Sequence, residues 1–90
     1  MSCEKQLTIS NKKGLHARAA SSFVKEAEKY VCDIWVEKDG QRVSGQSIMG
    51  LMMLAAAKGS QIKIIADGLQ AQQALNGLAN LIENKFFEED

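Results

Sequence analysis

The chain has 90 residues, 46% of them hydrophobic, with eleven basic and eleven acidic side chains and a single histidine. That is enough chain for one domain, residues 1–90, and too little for a second core. A net charge of zero excludes whole-molecule attraction to nucleic acid, and no apolar run approaches the roughly 18 residues of a membrane span.

The opening stretch MSCEKQLTIS has no hydrophobic export core, so the expected setting is the cytoplasm. There Cys3 and Cys32 are expected as reduced thiols and make no disulfide framework. With one histidine they are too few for a metal site, and no metal or other cofactor is expected.

Glu4 to Ser10 alternates, with Leu7 and Ile9 on one face, which predicts a strand. Asn11-Lys12-Lys13-Gly14 reads as a turn. From Ala17 onward, Ala20, Phe23, Val24, Ala27 and Val31 make a helical stripe. Val31 to Lys38 alternates again, with Cys32, Ile34 and Val36 on one face and Trp35 on the other. Asp39-Gly40 closes a hairpin onto a short return strand, Gln41 to Ser44. Ser47 opens a second helix expected to run to about Lys58 and to stop at Gly59. On it, Ile48, Leu51, Met52 and Ala55 share the predicted core face. Gln61 to Ala66 is a strand, with Ile62, Ile64 and Ala66 inward. A last helix, from Leu69 or Gln70 to Asn84, buries Ala71, Ala74, Leu75, Leu78, Leu81 and Ile82; Gly77 weakens it modestly. The closing Glu88-Glu89-Asp90 is expected to be a solvated tail.

The order βαββαβα, alternating on every strand, predicts an antiparallel four-stranded sheet with one wet face. Three one-sided helices cover the other face. The expected class is α/β (α+β), an open-faced two-layer sandwich. That architecture implies no function by itself.

Charge is uneven along the chain. Residues 1–45 carry eight Lys/Arg and six Asp/Glu, whereas residues 46–90 carry three and five. The basic excess includes Lys12, Lys13 and Arg18, which bracket His16, so an anion would be drawn to that end. His16 stands at the start of the first helix, where backbone amides lack internal partners and the helix dipole is positive. Ala17, Arg18, Ala19 and Ala20 can all offer N–H groups to an anion. Arg18 adds a guanidinium suited to phosphate oxygens. The same field favours a neutral, nucleophilic imidazole that could attack phosphorus. Gly14 is expected to keep the preceding turn clear of an approaching donor. Taken alone, however, a histidine at a loop–helix junction reads more readily as a surface or capping residue.

The segment GLHARAA followed by GQSIMGLMMLAAAKGSQIKI resembles the histidine-containing phosphocarrier proteins of the phosphoenolpyruvate-dependent phosphotransferase system, the HPr family. The resemblance covers nearly the whole chain. It implies that His16 is phosphorylated on Nδ1 and that Arg18 supports the phosphoryl group. Enzyme I would be the donor and a IIA-type protein the acceptor, with the carrier used stoichiometrically and not as an enzyme. The family usually has proline where this chain has Ala19, which leaves the stiffness of the site in question. SIMGLMMLAAAKG and NKFFEED resemble the nitrogen-related branch, often called NPr, more than the sugar-uptake branch, the alternative.

Ser47 fits a capping hydroxyl at the second helix. The aligned serine of some family members is phosphorylated by a dedicated kinase (an HPr kinase/phosphorylase), which the resemblance extends to Ser47. Met49 and Met53, with Leu54 on the adjoining flank, fall outside the predicted core stripe. They are candidates for docking successive partners, since methionine adapts to varied surfaces. The expected state is a monomer without nucleic-acid or membrane partners. An RNA-binding domain would want paired aromatics on its strands and a basic surface. A hydrolase would want a second nucleophile or base beside His16. A relative regulating only through its serine would be expected to lack the histidine.

Overall fold

Alternation along the chain becomes four strands: β1 (Ser2–Thr8), β2 (Asp33–Lys38), β3 (Gln41–Ser44) and β4 (Gln61–Asp67). They form one sheet of order β1-β4-β2-β3, antiparallel throughout. The computed structural model describes residues 2–88. Three helices, α1 (Ala17–Ala27), α2 (Ile48–Met53) and α3 (Ala71–Glu83), complete the βαββαβα order and pack on one face, and a short turn, Lys85–Phe87, follows. The architecture is the α+β open-faced sandwich that alternation predicts.

Leu7, Ile34, Val36, Ile62, Ile64 and Ala66 point into the helical layer and are buried. The open face carries a cross-strand row in register, Gln6–Lys63–Glu37–Arg42. Lys63 lies 3.9 Å from the Glu37 carboxylate, and Arg42 reaches that carboxylate at 2.6 Å. Such exposed pairs give the wet face solubility more than stability.

Several boundaries depart from the sequence expectation. β1 ends at Thr8, so the buried Ile9 follows the strand. α1 ends at Ala27, and Val31, placed on its stripe by periodicity, is 65% exposed in the turn beyond. Cys32 precedes β2, and both cysteines are free thiols.

The largest correction is α2, which stops at Met53, well short of Lys58. Leu54 and Ala55 donate to Leu51 and Met52 carbonyls three residues back, and Ala55 turns left-handed at φ 52°. That tight ending rotates the stripe. Leu51 and Leu54 are buried, while Ile48, Met52 and Ala55, expected in the core, face outward.

Gly77 has a packing reason inside α3. A Cβ there would collide with the Tyr30 hydroxyl and the Glu26 carboxylate. Tyr30 Oη donates to Glu26 Oε2 at 2.7 Å, and Lys29 Nζ to Oε1 at 2.9 Å. The bond from Tyr30 holds the Glu26 carboxyl below its ordinary range, aided by Lys29 and opposed by burial. The same bond, with burial, holds the Tyr30 hydroxyl above its own range. The Glu26 contribution is therefore present above the ordinary carboxylate range and lost as pH falls through the lowered value. The Tyr30 contribution is present below the ordinary phenol range and lost as pH rises through the raised value. Tyr30→Phe is expected to cost about 1 kcal/mol at neutral pH. Its difference from wild type should shrink below about pH 4.5 and above about pH 10 in urea denaturation across pH.

Candidate functional site

The loop from β1 to α1 is held by its backbone. Asn11 is fully buried, and its Nδ2 donates to the Gly14 carbonyl at 2.7 Å. Gly14 takes φ 65°, and a Cβ on it would lie 2.5 Å from the Ala56 carbonyl oxygen and 2.8 Å from Ala57 Cα. Glycine is thus required by the neighbouring backbone. Leu15 N then donates to Ala56 O at 2.8 Å, and its side chain is buried.

This brings His16 to the N-cap of α1 in extended backbone, with its carbonyl accepting from Ala20 N at 2.8 Å. Its Nδ1 accepts from Arg18 N at 3.3 Å, so the imidazole caps its own helix. The other ring nitrogen, Nε2, lies 2.6 Å from Glu88 Oε2. An ionised carboxylate can only accept, so Nε2 carries the proton and Nδ1 presents the lone pair. The capping amide on Nδ1 requires the same tautomer.

An open cleft of about 750 Å³ spreads over the ring. Lys12, Lys13, Arg18, Phe86 and Phe87 line it together with His16 and Glu88. Arg18 is exposed at the second helical position, whereas Ala19 at the third is fully buried. Among the described residues, no group of three His, Cys, Asp or Glu is arranged to hold a metal ion and no helix is long and apolar enough to cross a membrane.

Two residues of this site, Asn11 and Glu88, carry no signal in sequence spacing that brings them together. Glu88, expected in a solvated tail, returns across 72 positions to His16, and its Oε1 accepts from Asn11 Nδ2 at 3.0 Å. Glu89 and Asp90, the rest of that expected tail, lie outside the described residues. The one available hint is Phe86, an apolar residue past the end of the last helix that needs burial and is 6% exposed.

Ser47 caps α2 as expected, its Oγ accepting from Gly50 N at 3.0 Å. Met49 and Met53 are exposed at 71% and 66%. Leu54, grouped with them from the helical wheel, is buried at 3% because the helix ends before it, so it offers nothing to a partner.

A family model described as the PTS HPr component phosphorylation site matches residues 3–84. The chain belongs to the HPr family. The phosphocarrier protein HPr of Neisseria meningitidis is 46% identical over 85 residues, 94% of this chain and 96% of the relative. The HPr-like protein Crh of Halalkalibacterium halodurans is 45% identical over 82 residues, 91% of this chain and 98% of its own. The crystal structure of HPr from Thermoanaerobacter tengcongensis superposes with a TM-score of 0.93 at 45% identity, covering 98% and 99% of the two chains. An HPr dimer from the same organism also matches, with a TM-score of 0.77 at 46% identity and 91% and 94% coverage. A monomer is therefore not a rule among HPr structures. The chain is an HPr-type phosphocarrier of the phosphotransferase system.

Gly14→Ala is expected to destabilise the fold by about 2–3 kcal/mol, combining a left-handed non-glycine residue with a backbone collision. It should also pull His16 away from Glu88. Urea denaturation reads the first effect and the imidazole ¹⁵N shifts read the second.

Proposed function

We propose that this chain carries its phosphoryl group on Nδ1 of His16, taking it from enzyme I, and ultimately from phosphoenolpyruvate, and handing it to a IIA-type protein. The observation that carries this reading is the setting of the ring. Nδ1 holds its lone pair against the Arg18 amide in the first turn of α1, beside a cleft lined by Lys12, Lys13 and Arg18. As Nδ1 bonds to phosphorus, the bond to the donor breaks and its electron pair leaves with the donor. The amides of Ala17, Arg18 and Ala19 then meet the phosphoryl oxygens, with the Arg18 guanidinium on the outside. The Arg18 amide exchanges one acceptor for another, so the helix start keeps a cap in both states. The chain is a stoichiometric carrier, not a turnover enzyme.

With enzyme I and labelled phosphoenolpyruvate, an acid-labile, base-stable adduct is expected on the wild type and absent from His16→Ala. Arg18→Ala should slow its formation roughly 100-fold. No adduct with either a sugar-type or a nitrogen-type enzyme I overturns the reading.

We assign the chain to the nitrogen-related branch on SIMGLMMLAAAKG and NKFFEED, with the sugar branch as the alternative. Relative rates with the two enzymes I decide between them. The docking surface is assigned to Met49 and Met53, whose exposed side chains adjoin the exposed Ile48 and Met52 on α2. Ser47 is assigned as the position where a kinase would add charge beside that surface. Ser47→Asp is expected to raise the dissociation constant for enzyme I several-fold with an unchanged circular dichroism spectrum. Unaltered binding would remove the regulatory assignment.

A further inference from the structure

We infer that Glu88 is a positioning residue that keeps the proton on His16 Nε2 throughout a phosphoryl-transfer cycle, and so holds the phosphorylated ring in its cationic, readily discharged form. The inference rests on the carrier reading above. Glu88 is held at both oxygens, with Oε2 on Nε2 at 2.6 Å and Oε1 on Asn11 Nδ2 at 3.0 Å. Its side chain is 11% exposed, and Asn11 is itself fully buried and tied to the Gly14 carbonyl. Phe86, buried two residues earlier, anchors the segment that delivers it. A carboxylate fixed on one imidazole nitrogen while the other does the chemistry orients the ring and stabilises its charged form.

The electron count gives this contact its consequence. When Nδ1 donates its pair to phosphorus and Nε2 keeps its proton, the ring gains a positive charge, faced by Glu88 at 2.6 Å. On discharge the N–P bond breaks, the pair returns to Nδ1 and a neutral imidazole leaves; no proton moves. Lys12, Lys13 and Arg18, the other charged side chains lining the cleft, are all cations and oppose that charge. Among the described lining residues Glu88 is the one carboxylate. Without it the phosphorylated ring sheds its Nε2 proton more easily, and discharge from that form must expel an imidazolate, a far poorer leaving group.

The test uses the full chain phosphorylated by enzyme I. Hydrolysis of the adduct is followed from about pH 5 to 10, which covers the interval of about pH 5–8 in which imidazoles in general change charge. Glu88→Gln is expected to accept the phosphoryl group yet to move the midpoint of the pH–lability profile about one unit lower. At the wild-type midpoint its adduct should then decay about fivefold more slowly. A second measurement needs no phosphotransfer: ¹⁵N NMR of the unmodified ring should show more Nδ1–H tautomer in Glu88→Ala than in wild type. Coincident lability profiles overturn the inference, as does an unchanged tautomer population. If the wild type takes no phosphoryl group, the carrier reading alone fails, and the tautomer still decides whether Glu88 holds the Nε2 proton.

Discussion

The loop bearing His16 and the segment after α2 are clasped through their backbones. Ile9 N donates to Ser60 O at 2.9 Å, Gly59 N to Ile9 O at 2.7 Å, and Leu15 N to Ala56 O at 2.8 Å. For Ala56 to turn its carbonyl toward Leu15, the preceding helix must end early, and it does so through the left-handed Ala55. Gly14 must do without a Cβ so that the two backbones can meet. Leu15 and Leu54 then enter the same core from the two clasped segments. His16 leaves this clasp in extended backbone and meets α1 as its cap. The position of His16 is therefore set by main-chain bonds, which are less easily lost to substitution than side-chain contacts.

Most of the architecture was legible because it rests on periodicity. The inward residues of β2 and β4 and the buried stripe of α3 follow period 2 and period 3.6 directly. The expected α2 runs too far because LMMLAAAK is helix-forming throughout, and nothing local reveals that Ala56 is needed elsewhere. Tertiary demand outweighed propensity there. That one error moved Leu54 from core to surface and Met52 from surface to core. In the site, helix-start chemistry raised His16 and Arg18 as candidates, and the resemblance to the family set them above an ordinary surface reading. Asn11 was visible only as a turn residue, and Glu88 only as charge in a tail, because their meeting depends on a path through the whole fold.

His16 has two ring nitrogens and each has a fixed partner, one from its own helix and one from the far end of the described chain. The first contact is a neutral amide donor and the second an acceptor, so the two agree on a single tautomer. A histidine fixed in this way presents its Nδ1 lone pair without first exchanging a proton between its ring nitrogens. The burial of Ala19 extends the same economy, since the first turn is anchored by packing even though proline does not stiffen it.

Lys85, Phe86 and Phe87 take φ values of 55°, 56° and 56°. Left-handed backbone costs a non-glycine residue roughly 1–2 kcal/mol at each of the three positions, more in all than the roughly 1.5–3 kcal/mol that burial of one phenylalanine returns. A segment held at that cost has a restricted alphabet. Proline and β-branched residues cannot hold positive φ, while glycine or asparagine would settle into it. A single exchange at one of these three positions could tighten or slacken the reach of the carboxylate without touching the core or the histidine. The contact between Glu88 and His16 is then free to drift in evolution separately from the fold.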